Sequence, residues 1–309
     1  NIILIMAKGL LFSGQGAQYV GMGKTLCEHS EIARNVYELA NEILGWDLKN
    51  VCFNGPDKTL TETRVCQPAL YTQGYAIYKM LTEKGLTSDI KAVFGLSLGE
   101  LTALAVAGVY DFETGLRLVE ERGRLMQEAC NSTEGGMASL IGGNTEKVEE
   151  LCKDFKVEIA NYNCPGQIVI SGNKVNILQA VAASKDMGFK LVKPLNVAGA
   201  YHSSLMESAK IAFAEFIAPI EFKSPHYEIL TNVTGNIIKV HEDIKKAIVN
   251  QIVSSVCFES CIIRSKEDLG INHFIECGPA RVLAGLVRRT DKSIEVQSIS
   301  EFADLDCLI

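Results

Sequence analysis

The stretch Lys91-Ala92-Val93-Phe94-Gly95-Leu96-Ser97-Leu98-Gly99-Glu100 constrains this chain more than any other. Ala92 to Phe94 reads as a short buried strand. Gly-x-Ser-x-Gly follows at once, and Leu101 to Ala107 reads as an apolar, alanine-rich helix. Strand, tight turn and helix are the context of a nucleophile elbow. Its two glycines let the backbone turn sharply without a Cβ clash. The serine hydroxyl is left at the tip, and the next amides sit at a helix N-terminus, where developing negative charge is stabilised. The motif alone is common by chance, and the bland reading is a glycine-bracketed turn with an incidental serine. The flanking strand and helix favour the functional reading.

The chain has 309 residues, enough for a sizeable core and for two unequal domains. A net charge of −7 argues against general nucleic-acid binding. The 10 cysteines are scattered, with no C-x-x-C pair. Cys257 and Cys261 have no further ligand at zinc spacing, so they read as buried thiols rather than a metal site. Unpaired, scattered cysteines suit a reducing cytosol, which makes the cytoplasm the expected compartment. The apolar run Asn1 to Met6 is too short for a signal or transmembrane segment. Met6 is a candidate natural start, with the residues before it an upstream extension.

Along the chain, Gly9 to Phe12 reads as a first strand running into the glycine-rich loop Ser13-Gly14-Gln15-Gly16-Ala17-Gln18 and then a helix. That loop is neither a dinucleotide fingerprint nor a P-loop, since no third glycine and no Gly-Lys-Ser/Thr follow. It can still offer backbone N–H groups to an anion. Helical patterns cover Ser30 to Leu44, Gln67 to Lys84 and Phe112 to Cys130. After the break at Asn131 to Gly136, the order from Met137 to Leu195 reads β-α-β-β-α-β: strands Met137 to Ile141, Val157 to Asn161, Gln167 to Gly172 and Lys190 to Leu195, with helices Thr145 to Asp154 and Lys174 to Met187. This is a split βαβ pattern of ferredoxin-like type, placed as an insertion. Helices near Ser203 to Phe216 and Glu242 to Ser254, strands near Tyr227 to Val233 and Asn272 to Glu276, and a helix from Ala280 to Arg288 complete the reading. The expected class is α/β, with a large domain from 1–133 and 199–309 around a small subdomain at 134–198.

A serine nucleophile needs a base, and composition does not choose among His29, His202, His226, His241 and His273. His202, in Gly199-Ala200-Tyr201-His202-Ser203-Ser204, has small neighbours between a strand and a helix. The alternative there is a capping or surface histidine. No aspartate announces itself as a third member. Arg122, in Glu120-Glu121-Arg122-Gly123-Arg124, is a candidate for fork-to-fork pairing with a substrate carboxylate. Spacing alone favours a solvated, salt-bridged face.

Six motifs occur together and in order: Gly14-Gln15-Gly16-Ala17-Gln18, Gly95-Leu96-Ser97-Leu98-Gly99-Glu100, Arg122-Gly123, Asn161-Tyr162-Asn163-Cys164-Pro165-Gly166-Gln167, Tyr201-His202-Ser203 and Glu276-Cys277-Gly278-Pro279. In this the chain resembles malonyl-CoA:acyl carrier protein transacylases, from about Lys8 to Arg289. It is also similar to the acyltransferase domains of polyketide synthases, including free-standing ones.

The resemblance implies an α/β-hydrolase-like core with a parallel sheet and an inserted ferredoxin-like subdomain. It implies that Ser97 accepts the acyl group, that His202 is its base, and that a backbone carbonyl at Gln251 orients the imidazole in place of an acid. By the same resemblance Arg122 binds the malonyl carboxylate, the N–H groups of Gln15 and Leu98 form the oxyanion hole, and Arg288 and Arg289 fall where basic residues dock the carrier protein. The substrates would be malonyl-CoA and holo acyl carrier protein, with no cofactor, no metal, no nucleic acid and no membrane, in a monomer. One departure is Leu96, where the family usually has histidine; it touches substrate handling rather than the reaction. Tyr201, a bulky residue before the base, goes with malonyl rather than methylmalonyl in the related domains. Acidic carrier proteins would need a local basic patch on this acidic chain, with Lys190 and Lys193 as further candidates. The rivals are a serine hydrolase or thioesterase on the same elbow, an acyltransferase serving polyketide carrier domains, and a silent carrier-binding scaffold.

Overall fold

The computed structural model describes residues 7–185 and 187–308. Asn1 to Met6, with the candidate start, lies outside the described residues. The strands in chain order are β1 (Lys8–Phe12), β2 (Ile90–Gly95), β3 (Gly135–Ile141), β4 (Glu158–Cys164), β5 (Gln167–Asn173), β6 (Leu191–Pro194), β7 (Glu228–Leu230), β8 (Ile237–Ile238), β9 (Val256–Cys257), β10 (His273–Cys277) and β11 (Glu295–Ile299). They form two sheets in a mixed α/β fold.

The larger sheet has the order β11-β10-β1-β2-β7-β8 and is parallel except for the edge strand β8. Its central strands are buried on both faces, which is why β1 and β2 read as continuous apolar runs rather than alternating ones. Leu10 and Phe12 point into a core with Leu98, Leu101 and Leu116. Leu11 and Phe94 point the other way, among Phe258, Phe274 and Leu283. The helix Leu98–Val106 is buried at every position, which its alanine-rich, uniformly apolar sequence permits. Phe12, Gly95 and Cys277 lie level at the carboxyl end of the sheet. The loops that follow β1, β2 and β7 therefore leave from neighbouring points on one edge, the usual place for a ligand in a parallel sheet.

The smaller sheet has the order β6-β3-β5-β4-β9. Its pairs are antiparallel except β4 with β9. Two helices, Thr145–Phe155 and Lys174–Ser184, lay Val148, Leu151, Ile177 and Ala180 on Ala138, Leu140, Ile168 and Ile170. Strand β9 comes from outside 134–198 and joins the edge at β4.

Several element limits differ from those expected. The helix from Lys174 stops at Ser184. The stretch after Ser203 starts with a 3-10 turn, Ser204–Met206, before the helix Glu207–Ile217. The last long helix begins at Val282, because Ala280 and Arg281 take left-handed φ values of 68° and 51°. The buried Glu276 carboxylate accepts from the N–H groups of Leu283 (2.7 Å) and Ala284 (3.0 Å), and so fixes that later start. The helix expected after the glycine-rich loop is Lys24–His29, whereas the helices Leu48–Asn54, Asp57–Thr61 and Phe258–Glu267, and the strands β8, β9 and β11, were not expected. Most are under eight residues, too short for a periodicity to register.

All ten cysteines are free; eight are buried, Cys257 is partly buried and Cys307 is exposed. Among the described residues no helix is long and apolar enough to cross a membrane.

Candidate active site

Ser97 stands between β2 and the helix Leu98–Val106 with φ 53° and ψ −105°. This conformation is sparsely populated and costs on the order of 1–3 kcal/mol, so the surroundings must impose it. Asn232, just beyond β7, does so. Its side-chain oxygen accepts from the Ser97 N–H at 2.7 Å, and its amide donates to the Gly95 carbonyl at 2.8 Å. The flanking glycines serve close packing rather than unusual dihedrals. A Cβ on Gly95 would lie 2.3 Å from the Gly99 carbonyl carbon, and one on Gly99 would lie 2.0 Å from the Phe12 oxygen. The left-handed residue of the turn is the serine itself.

His202, with φ 56°, brings Nε2 to 2.8 Å from Ser97 Oγ. Its Nδ1 lies 2.8 Å from the main-chain oxygen of Gln251. A carbonyl can only accept, so Nδ1 carries the proton and Nε2 is left as an acceptor for the serine hydroxyl. The ring is 5% exposed. Burial, and then the nearby positive charge of Arg122, push its pKa down to about 4, against the small upward pull of the Gln251 bond. At neutral pH the imidazole is therefore uncharged, and the pair can deprotonate a serine attacking an ester or thioester carbonyl.

Arg122 is 1% exposed, against the solvated face that its spacing favoured. Its neighbours on the helix Phe112–Ser132 do follow that reading: Arg117 pairs with Glu113, and Arg124 with Glu121 and Glu128. Arg122 falls instead on the stripe of Leu118, Val119, Leu125 and Met126, which faces inward. Its guanidinium donates to Gln67 Oε1 at 2.7 Å, to Gln251 Oε1 at 2.8 Å and to Ser97 Oγ at 3.2 Å. Its Nε has no protein partner. Burial pulls the group down to about 10, with Glu100 opposing, so it stays cationic at neutral pH. A buried cation with spare donors beside a nucleophile suits a substrate carboxylate.

These groups open on a cavity of about 720 Å³, whose walls include Gln15, Leu96, Ser97, Leu98, Tyr201 and His202. Leu98 is the first residue of its helix, where amides lack a carbonyl from a preceding turn. Tyr201 is tied through its hydroxyl to Thr63 Oγ1 at 2.5 Å, and Gln15 Nε2 reaches the same oxygen at 3.4 Å. Arg288 and Arg289 are exposed at the end of the helix Val282–Thr290, and Arg289 donates to Gln167. Lys190 and Lys193 are exposed beside and on β6. No cluster of three or more His, Cys, Asp or Glu side chains among the described residues is placed to hold a metal ion.

Four contributors were missed in the sequence: Gln67, Glu100, Asn232 and the Gln251 side chain. Gln67 carried a signal, as a polar residue on the inward face of an apolar helix that includes Val65, Ala69 and Leu70. Glu100 is 1% exposed and was read only as the end of the elbow motif. Asn232 is placed by the adjacency of β7 to β2, which no local pattern reveals.

Comparison with known proteins gives the same picture. The family described as acyl transferase domain matches residues 10–304. The malonyl CoA-acyl carrier protein transacylase of Bacillus subtilis is 36% identical over 296 residues, covering 94% of this chain and 92% of that protein. The same-named protein of Staphylococcus aureus is 37% identical over 304 residues, 96% of each. Among solved structures, an acyl carrier protein S-malonyltransferase from Vibrio cholerae superposes with a TM-score of 0.94 at 35% identity, covering 98% of this chain and 99% of that one. A malonyl-transacylase in complex with a type II PKS acyl-carrier protein also gives 0.94, at 34% identity and 98% coverage of both chains. The chain belongs to the acyl transferase domain family, in its malonyl CoA-acyl carrier protein transacylase branch.

Proposed function

We propose that this chain is an acyltransferase that moves malonyl groups from malonyl-CoA to the phosphopantetheine thiol of acyl carrier protein, through a malonyl-serine. The observation that carries this is the convergence on Ser97 Oγ of an acceptor imidazole at 2.8 Å and an unpaired, buried guanidinium at 3.2 Å. His202 takes the proton as Ser97 attacks the thioester carbonyl. The tetrahedral oxyanion lies against the N–H groups of Gln15 and Leu98, each such donor being worth roughly 3 kcal/mol in the transition state. The carbon–sulfur bond breaks and coenzyme A leaves with the proton from His202. The carrier thiol then gives its proton to His202, attacks the malonyl ester, and Ser97 leaves reprotonated. Arg122 holds the free carboxylate throughout, and the reading calls for no cofactor.

The fold supports the finer description too. The parallel sheet with its elbow after β2 suits an α/β-hydrolase-like core at 1–133 and 199–309. The order β6-β3-β5-β4, with two helices on one face, suits a ferredoxin-like unit at 134–198. Carrier docking falls to exposed cations, with Arg288, Arg289, Lys190 and Lys193 as the candidates; added salt should then weaken carrier turnover. A polyketide carrier is a second reading, favoured by the likeness to the type II PKS complex.

Intact mass after brief incubation with malonyl-CoA tests the proposal, beside acetyl-CoA and a Ser97→Ala control. A malonyl adduct absent from the control, discharged by holo carrier protein, is expected. Steady release of free coenzyme A without a thiol acceptor would establish a hydrolase instead. Fatty-acid and polyketide carriers run in parallel assign the partner.

A further inference from the structure

Glu100 is a carboxylate buried at the third position of the elbow helix, with no cation within 4 Å among the described residues. Its hydrogen-bond neighbours donate to it. Its Oε2 accepts from the Asn232 N–H at 3.1 Å and from Gln251 Nε2 at 2.7 Å. Asn232 is the residue that straps both sides of Ser97. Gln251 is the residue that touches everything else: its Nε2 also lies 3.0 Å from the Ser97 carbonyl, its main-chain oxygen meets His202, and its Oε1 accepts from Arg122.

An amide side chain can turn over, exchanging donor for acceptor. A carboxylate only accepts, so Glu100, together with the acceptor-only Ser97 carbonyl and the donor-only Arg122 guanidinium, holds Gln251 with Nε2 towards Glu100 and Oε1 towards Arg122. The result is a chain of cation, amide and anion: Arg122, Gln251, Glu100. The two buried charges compensate one another through space without meeting. Direct pairing would neutralise the guanidinium with an anion; an intervening amide leaves it without an anionic partner, its terminal nitrogens on neutral oxygens and its Nε unoccupied. Burial raises the Glu100 pKa above the ordinary carboxylate value, and the bonds from Asn232, Thr231 and Gln251 and the charge of Arg122 offset only part of that rise.

We propose that Glu100 is a positioning residue for carboxylate recognition, balancing the buried charge of Arg122 through the Gln251 amide while keeping the guanidinium unpaired for the substrate. This rests on the reading of Arg122 as the site of the malonyl carboxylate. Its consequence is a moderated affinity. The anion of Glu100 weakens the hold of Arg122 on an incoming carboxylate, which lets the malonyl group leave on the carrier.

The charge is separable from the hydrogen bonds, because in Glu100→Gln the amide oxygen can still accept from Asn232 and Gln251. Calorimetry with malonate and acetate, beside steady-state transfer from malonyl-CoA and acetyl-CoA, tests the idea. With the charge removed, malonate should bind tighter by on the order of tenfold. The KM for malonyl-CoA and kcat should fall together, and acetate binding and acetyl transfer should change less than about twofold. A merely structural role would raise KM or lower both acyl transfers alike, and that result overturns the proposal. So does unchanged malonate binding, the outcome for a carboxyl already protonated. A thermal melt monitors folding. If Glu100→Gln does not fold, Glu100→Asp draws the charge back from Gln251 by one methylene; tighter malonate binding supports the proposal, and unchanged binding overturns it. Wild-type protein that binds malonate but forms no malonyl adduct would remove the transfer reading and leave this one standing.

Discussion

The ring Nδ1 of His202 lies 2.8 Å from the main-chain oxygen of Gln251, so an uncharged carbonyl stands where a triad would place a carboxylate. Nothing behind the ring stabilises the imidazolium by charge. Burial and Arg122 both disfavour it, and the pKa falls to about 4. As the proposed base, His202 must be neutral to act, so the acid limb of kcat/KM for malonyl transfer should lie near pH 4 rather than near the ordinary histidine value of about 6.5. A pH profile on the free enzyme measures it. A limb near 6.5 would mean that the ring is solvated and that Arg122 does not act on it.

The same depression has a consequence for stability. Between about pH 6.5 and 4 the unfolded chain binds a proton at this histidine that the folded chain refuses. Stability from this group is fully present above pH 6.5 and falls as the pH drops through 4, by about 3 kcal/mol in all. Urea melts at pH 7 and pH 4.5 should show a larger loss for the wild type than for His202→Asn, which lacks the titrating ring. Equal losses would place the acid sensitivity elsewhere.

The elbow was legible because β2, the turn and its helix are contiguous, and each carries its own local pattern. The β-α-β-β-α-β order was legible for the same reason. Arg122 shows how far spacing reaches. Counting charges on its helix suggests a solvated face, whereas counting apolar residues at three- and four-residue steps puts Arg122 in the buried stripe. Asn232 and Gln251 were out of reach as side chains, since their roles come from strand adjacency and from a helix end 154 residues after Ser97. Positions 280 and 281 misled because their left-handed turn is held by Glu276, whose capping role shows only in three dimensions.

Gly123 has a packing role next to Arg122. A Cβ there would sit 2.8 Å from the Thr63 carbonyl oxygen, where the helices Phe112–Ser132 and Thr63–Glu83 approach. Backbone cannot swing aside as a flexible side chain would. Gly123→Ala should cost about 1–3 kcal/mol in urea denaturation. It should also weaken malonyl-CoA binding, because the displaced turn carries Thr63 and Gln67. Unaltered stability would mean that the helices separate freely.

Tyr201 closes the cavity through its bond to Thr63, 2.5 Å long. Tyr201→Phe keeps the ring and loses the bond, so malonyl transfer should fall by about tenfold or less, the worth of one neutral hydrogen bond. Tyr201→Ser removes the ring and opens space for a branched acyl group. Competition between malonyl-CoA and methylmalonyl-CoA should then shift toward methylmalonyl. An unchanged ratio would remove Tyr201 from substrate selection.

Arg122 makes the sharpest distinction between substrates. Its guanidinium is buried, cationic and held by two glutamine oxygens rather than by a carboxylate. Malonyl supplies the missing anion; acetyl leaves the charge as it was. A charge-assisted hydrogen bond contributes about 1.5–3 kcal/mol, and a bidentate contact makes two. Arg122→Ala should therefore lower kcat/KM for malonyl-CoA by at least tenfold to a hundredfold, while acetyl-CoA changes little or improves. Arg122→Lys keeps the charge but loses the planar fork, and should fall between the two. Rates for both acyl groups, taken with the same carrier protein, decide the matter. Equal losses for malonyl and acetyl would mean that Arg122 supports the shape of the elbow, through its contact with Ser97 Oγ, rather than choosing the substrate.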